Sequence, residues 1–142
     1  MKNQDVPIFE VYYEHTEDYL TDINTKMKEQ ISLKHYHLAH QIYKDLVEGQ
    51  FAPNHPLALT MLSLLIKEDR FSDALAYYQS FIKDKLKPNK FLYSQLILLY
   101  SGLKQPDKGF ELLKEMADHH IRPDIYHYCQ IIEGFKTNEQ FD

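Results

Sequence analysis

Three short polar side chains, Asn54, Asn89 and Asp124, recur at intervals of 35 residues, each directly behind a proline. Such side chains do two kinds of chemistry. They accept a hydrogen bond from the first turn of a helix, or they offer donors and acceptors to a ligand. A constant interval favours a linear partner met by equal units in a row. The other reactive groups form no catalytic set. His35, His37 and His40 are clustered, but no cysteine or carboxylate completes the converging ligands that a zinc site needs. His119 and His120 read as solvated residues of a polar turn. The chain has no glycine-rich phosphate loop, no nucleophile elbow and no His-x-Glu with Cys-x-x-Cys, and its carboxylates are scattered over helix surfaces. The expectation is a protein with no catalytic residues, metal or cofactor, and not an enzyme.

The elements that carry the three polar residues follow from the same interval. Counting each repeat to the residue after proline gives 20–54, 55–89 and 90–124, with a partial fourth over 125–142. The twentieth residue of each is small (Ala39, Ala74, Gly109), as two closely crossing helices require. Tyr43/Tyr78/Leu113 and then Leu46/Phe81/Met116 follow at helical spacing, which predicts one buried face. In the first half, Ile23/Ala58/Tyr93/Tyr128 and Met27/Leu62/Ile97/Ile132 form another apolar stripe. Phe51, Leu86 and Ile121 precede the prolines as apolar plugs. Polar turns at Lys67–Arg70 and Ser101–Pro106 separate the halves, and Ser72-Asp73 and Pro106-Asp107 are expected to start the second helices. Each proline ends a second helix, since it lacks a donor and restricts the residue before it. Each repeat therefore reads as helix–turn–helix. Phe141 falls at the register of Tyr36 and Phe71, so the fourth first helix is either a cap or part of a longer array.

Composition narrows the classes further. The chain has 142 residues, 44% hydrophobic and 26% charged, which is one folded domain's worth rather than a disordered segment. Only four glycines are present, which suits helices better than hairpins, and Cys129 alone excludes an internal disulfide and favours a reducing, intracellular compartment. No apolar run is long enough to span a membrane, so no membrane partner is expected. The net charge of −5 is concentrated at one end. Residues 1–19 carry five acids and one lysine, whereas 20–142 carry 16 acids and 15 bases. Residues 1–19 read as an acidic extension or cap with neither transit-peptide nor signal-peptide character. The repeat region is nearly neutral, so charge neither opposes nor supports a polyanionic partner. Its most basic stretch, Lys83/Lys85/Lys87/Lys90, reads as a solvated face between the second and third repeats.

The segment from Gly109 to Asp124, with Glu115-Met116 late in its helix and Ile121-x-Pro123-Asp124 at its end, closely resembles a pentatricopeptide repeat. Tyr128 and Ile131-Ile132-x-Gly134 continue the resemblance into the next first helix, and the whole likeness covers about 20–142. It implies an all-α, right-handed α-solenoid whose first helices line a concave surface that binds single-stranded RNA. In that family the fifth and last residues of a repeat face one base. Here those pairs are Asn24 with Asn54, Leu59 with Asn89, and Ser94 with Asp124, with Cys129 opening an incomplete fourth. The pattern assigns a pyrimidine to Asn/Asn and guanine to Ser/Asp, while Leu59 departs from it because it offers no hydrogen bond. The second residue sandwiches the base, which points to Pro56, Phe91 and Tyr126; Thr21 suits that role poorly. Lys28, Lys67 and Lys136 fall near the inner ends of first helices, within reach of phosphates.

Two functions remain open at this level. One is an RNA-binding module in RNA processing, stability or translation, in a mitochondrion or other organelle or in a bacterial cytoplasm. The other is a protein–protein interaction scaffold of the same fold, such as a subunit of a ribonucleoprotein or organellar ribosome. No small-molecule substrate is expected. Asn54, Asn89 and Asp124 as plain helix caps remain an alternative to base reading.

Overall fold

The computed structural model describes residues 8–139 apart from 84 and 86, with side chains over 17–138. Among these residues there are seven α-helices and no strand: α1 Ile8–Ser32, α2 Tyr36–Glu48, α3 His55–Lys67, α4 Phe71–Tyr77, α5 Lys90–Gly102, α6 Lys108–Asp118 and α7 Ile125–Glu139. The chain divides into two compact units, one up to Met61 and one from Leu62 onward. In the first, α1 packs against α2 around Leu20, Met27, Ala39 and Leu46, each no more than 3% exposed. In the second, α5 packs against α4, α6 and α7 around Leu96, Ile97, Leu99, Met116 and Ile131. Burying each such side chain contributes about 1.5–3 kcal/mol, more than helix propensity supplies to segments this short.

The repeat frame is visible in the geometry. Ala39 and Ala74 are 0% exposed, and Gly109 is buried. A Cβ on Gly109 would stand 2.6 Å from Ile131 Cγ1 of α7, so the small twentieth residue is a steric requirement at this crossing. Gly102 lies so close to the Phe71 ring that a methyl there would overlap it. Asn54 and Asn89 accept hydrogen bonds from the Leu57 and Leu92 backbone N–H groups at 3.2 and 2.8 Å, each capping a first helix.

Five helix ends share a feature that the residue types hide. Lys34, Asp69 and Lys104 in the intra-repeat turns, and Gln50 and His120 in the turns between repeats, all adopt φ between 60° and 67°. The next residue closes each end with a bond to the carbonyl five residues back, as in His35 N–H to Gln30 at 2.8 Å and Ile121 N–H to Met116 at 2.8 Å. This left-handed C-terminal cap normally takes glycine, and here none of the five is glycine.

Several expectations are corrected. Ser72 and Asp73 do not cap α4; they lie inside it, and Arg70 precedes it without a side-chain cap. Asp107 does precede α6, but its backbone is already helical and its carboxylate caps nothing. Phe81 does not share the buried register of Leu46 and Met116. A π-helical turn over Tyr78–Ile82, closed by the Lys83 N–H to Tyr78 carbonyl bond at 2.8 Å, adds one residue to the helix. The extra residue rotates Phe81 outward to 57% exposure and puts Ile82 in the buried place at 1%. Tyr128 and Ile132 are also exposed, at 49% and 60%, because no second helix covers α7 among the described residues as α6 covers Tyr93 and Ile97 on α5. Leu86, Phe141 and Asp142 lie outside the described residues.

Candidate nucleic-acid interface

Two of the fifth residues, Asn24 and Ser94, are buried and bonded to a neighbouring first helix. In the first compact unit, Asn24 on α1 is 9% exposed and its Oδ1 accepts a 2.5 Å hydrogen bond from the Thr60 hydroxyl on α3. In the second, Ser94 on α5 is 8% exposed and donates to Gln130 Oε1 on α7 at 3.2 Å. Both bonds join residues 36 apart, one period plus one, so in these two cases the fifth residue of a repeat contacts the sixth of the next. Leu59 is buried, and its aliphatic side chain offers no hydrogen bond. Cys129, at the same register on α7, is exposed.

The closing residues lie nearer to solvent. Asn89 is exposed beside Phe91, Asn54 is half-buried, and the Asp124 carboxylate is half exposed. Asp124 Oδ1 accepts the Tyr126 N–H at 3.0 Å and lies 2.9 Å from His127 Nδ1. His127 is 1% exposed, and its Nε2 stands 3.3 Å from the Lys90 carbonyl of α5. Partial desolvation raises the Asp124 carboxyl, but the His127 imidazole and the His127 and Tyr126 N–H groups outweigh it and hold the pKa below the usual carboxylate value. Asp124 therefore stays an acceptor at neutral pH, with one oxygen already engaged.

The second residues form the open part of the arrangement. Phe91 on α5 and Tyr126 on α7 are 48% and 57% exposed at equivalent register, and Pro56 at the head of α3 is exposed too. Two aromatic rings at solvent in consecutive repeats offer faces on which planar groups can stack. Thr21 is exposed with its hydroxyl donated to the Glu17 carbonyl at 3.0 Å, so it provides no comparable face. Lys28, Lys67 and Lys136 are all exposed, but they occupy the ninth, thirteenth and twelfth positions of their repeats and share no common register. Among the described residues no three His, Cys, Asp or Glu side chains gather as metal ligands, and no helix is long and apolar enough to cross a membrane.

Sequence reasoning did not find Thr60, His127 and Gln130. A search for polar pairs separated by 36 residues would have found the first and last, and the Asp-x-x-His spacing at 124–127 marks the second.

No family model matches the sequence, and no curated protein is similar to it. Solved structures do match. The crystal structure of the pentatricopeptide repeat protein PPR10 from maize superposes with a TM-score of 0.69 at 18% identity, covering 82% of this chain and 17% of that one. The structure of PPR10 in complex with an 18-nt psaJ RNA element gives 0.73 at 18% identity, over 84% of this chain and 18% of that one. A cysteine-to-serine form of PPR10 with the same RNA element gives the same values. This chain thus spans less than a fifth of the length of the protein it matches. With helix–turn–helix repeats in a 35-residue frame and these neighbours, the chain has the all-α solenoid fold of pentatricopeptide-repeat proteins.

Proposed function

We propose that this chain is a non-enzymatic RNA-binding module that holds single-stranded RNA along its first helices. Bases stack on Phe91 and Tyr126, make apolar contact with Pro56, and are read by the fifth and closing residues of the first and third repeats. The observation that carries this reading is the pair of aromatic rings exposed at equivalent register on α5 and α7, each beside a closing polar residue, Asn89 or Asp124. The solved RNA complex of the maize neighbour supports the same partner. Asn24/Asn54 favours a pyrimidine, Ser94/Asp124 favours guanine, and Leu59/Asn89 leaves a slot without base selection. The physiological role is RNA processing, stability or translation, in a mitochondrion, another organelle or a bacterial cytoplasm.

The stacking residues dominate the affinity, since each is worth about 1–3 kcal/mol, whereas three dispersed lysines add little. Titrating labelled single-stranded RNA with Phe91→Ala and Tyr126→Ala tests the reading. Each should weaken binding about fivefold or more, and unchanged affinity in both would refute the assignment of this face. A protein scaffold is the second reading, favoured by the apolar stripe Ile125, Tyr128 and Ile132 exposed on α7. A chain that binds no RNA at low salt, yet co-purifies with a protein lost on Ile132→Lys, establishes that reading instead.

A further inference from the structure

The segment leaving the π-helical turn is unlike its counterparts in the other repeats. Residues 83–90 contain Lys83, Lys85, Lys87 and Lys90 with Asp84 as the one acid, whereas the equivalent residues 48–55 and 118–125 each carry more acid than Lys or Arg. All four lysines are exposed. The added residue of the π turn has meanwhile put Phe81 at the surface, where its equivalents Leu46 and Met116 are 1% and 0% exposed. The Phe81 ring lies 5.1 Å from Tyr77 at a 30° tilt, and the Lys85 ammonium stands 5.7 Å from its centroid. Lys90, at the far end of the segment, immediately precedes Phe91.

An exposed aromatic ring among exposed cations is the pattern that non-selective single-strand binders use: the ring takes a base face and the cations take phosphates. An acidic peptide would engage the lysines but make no use of the exposed ring as a stacking surface. We propose that Phe81 with Lys83, Lys85, Lys87 and Lys90 forms a second contact for single-stranded RNA, receiving the part of the strand that lies beyond the Phe91 slot. The base stacks on Phe81 in the place that the Lys85 ammonium occupies, and that ammonium exchanges the Ser80 carbonyl, to which it donates, for the phosphate. The contact selects no base, because it offers a stacking surface and charge with no fixed hydrogen-bond pattern. It rests on the RNA-binding reading for its occupant, and adds to that reading a site outside the repeat slots.

Anisotropy titrations of a labelled, unstructured RNA over a salt series test this. Phe81→Ala should weaken binding about fivefold or more, and Phe81→Trp should restore it. Replacing Lys83, Lys85 and Lys87 together with Gln should lower the slope of log affinity against log salt by about 2, near 0.7 per lysine. Far-UV circular dichroism and the melting temperature of each variant check that it folds. If Phe91→Ala weakens binding while the Phe81 and lysine variants keep wild-type affinity and slope, this contact is refuted and the slot reading stands. If the wild-type chain binds no RNA, the slot reading fails first. If a labelled oligoglutamate binds and the lysine variant abolishes that alone, the patch docks acidic protein and the proposal is overturned.

Discussion

Ile82→Ala should destabilise the protein far more than Phe81→Ala, the reverse of what the repeat register dictates. Ile82 is 1% exposed, and truncation removes three carbons, about 2.4 kcal/mol of transfer free energy at roughly 0.8 per methylene. The cavity left behind raises the cost to about 3–4 kcal/mol. Phe81 is 57% exposed and loses only its contacts with the Tyr77 ring and the Lys85 ammonium, together about 1 kcal/mol at a solvated site. Leu46→Ala and Met116→Ala serve as references for the ordinary register, each at about 2–5 kcal/mol. Urea unfolding followed by far-UV circular dichroism, with the slope checked for constancy among variants, gives the four values. If the Phe81 variant costs as much as the Ile82 variant or more, the helix runs as a plain α-helix through this turn. The outward Phe81, and the RNA contact built on it, would then fall together.

Three other outcomes follow from named contacts. Gly109→Ala should cost about 1–3 kcal/mol by overpacking against Ile131, and a double-mutant cycle with Ile131→Ala should recover part of that cost; additive losses would show that the two do not touch. Replacing Lys34, Asp69 and Lys104 with Gly should raise stability by about 0.5 kcal/mol each, the relief of a left-handed residue less the added freedom of the unfolded chain; a lowered melting temperature would contradict the positive φ. Because the Asp124 carboxyl is held below its unfolded value near 3.8, it contributes stability above that pH and loses it as pH falls through the lowered folded value. Asp124→Asn should therefore flatten the acid limb of unfolding midpoint against pH, and an unchanged limb would show that the His127 and backbone contacts carry no electrostatic weight.

Features that depend on neighbours along the chain were legible in the sequence. The proline interval set the repeat length, Asn54 and Asn89 cap first helices as their type predicts, and Ala39, Ala74 and Gly109 are buried, Gly109 against Ile131. Local hydrogen-bonding preference and steric size act over a few residues, so residue type and spacing alone determine them. The solenoid fold followed from the repetition of such units.

The tertiary structure decided the rest. A π turn has no local signature: an added residue in a helix is tolerated only where packing accommodates it, so the exchange of Phe81 for Ile82 was invisible in the register. The five left-handed helix ends without glycine persist because the helices they join are held by burial worth more than the strain. The polar links of Asn24 to Thr60 and of Ser94 to Gln130 exist only because stacking brings residues 36 apart together. His127 reaches Asp124 and the Lys90 carbonyl at once only after α7 docks on α5. The sequence by itself determined the 35-residue interval and the residue types that recur at it. Which aromatic rings face the solvent, and which polar groups are already engaged, depended on packing between elements far apart in the chain.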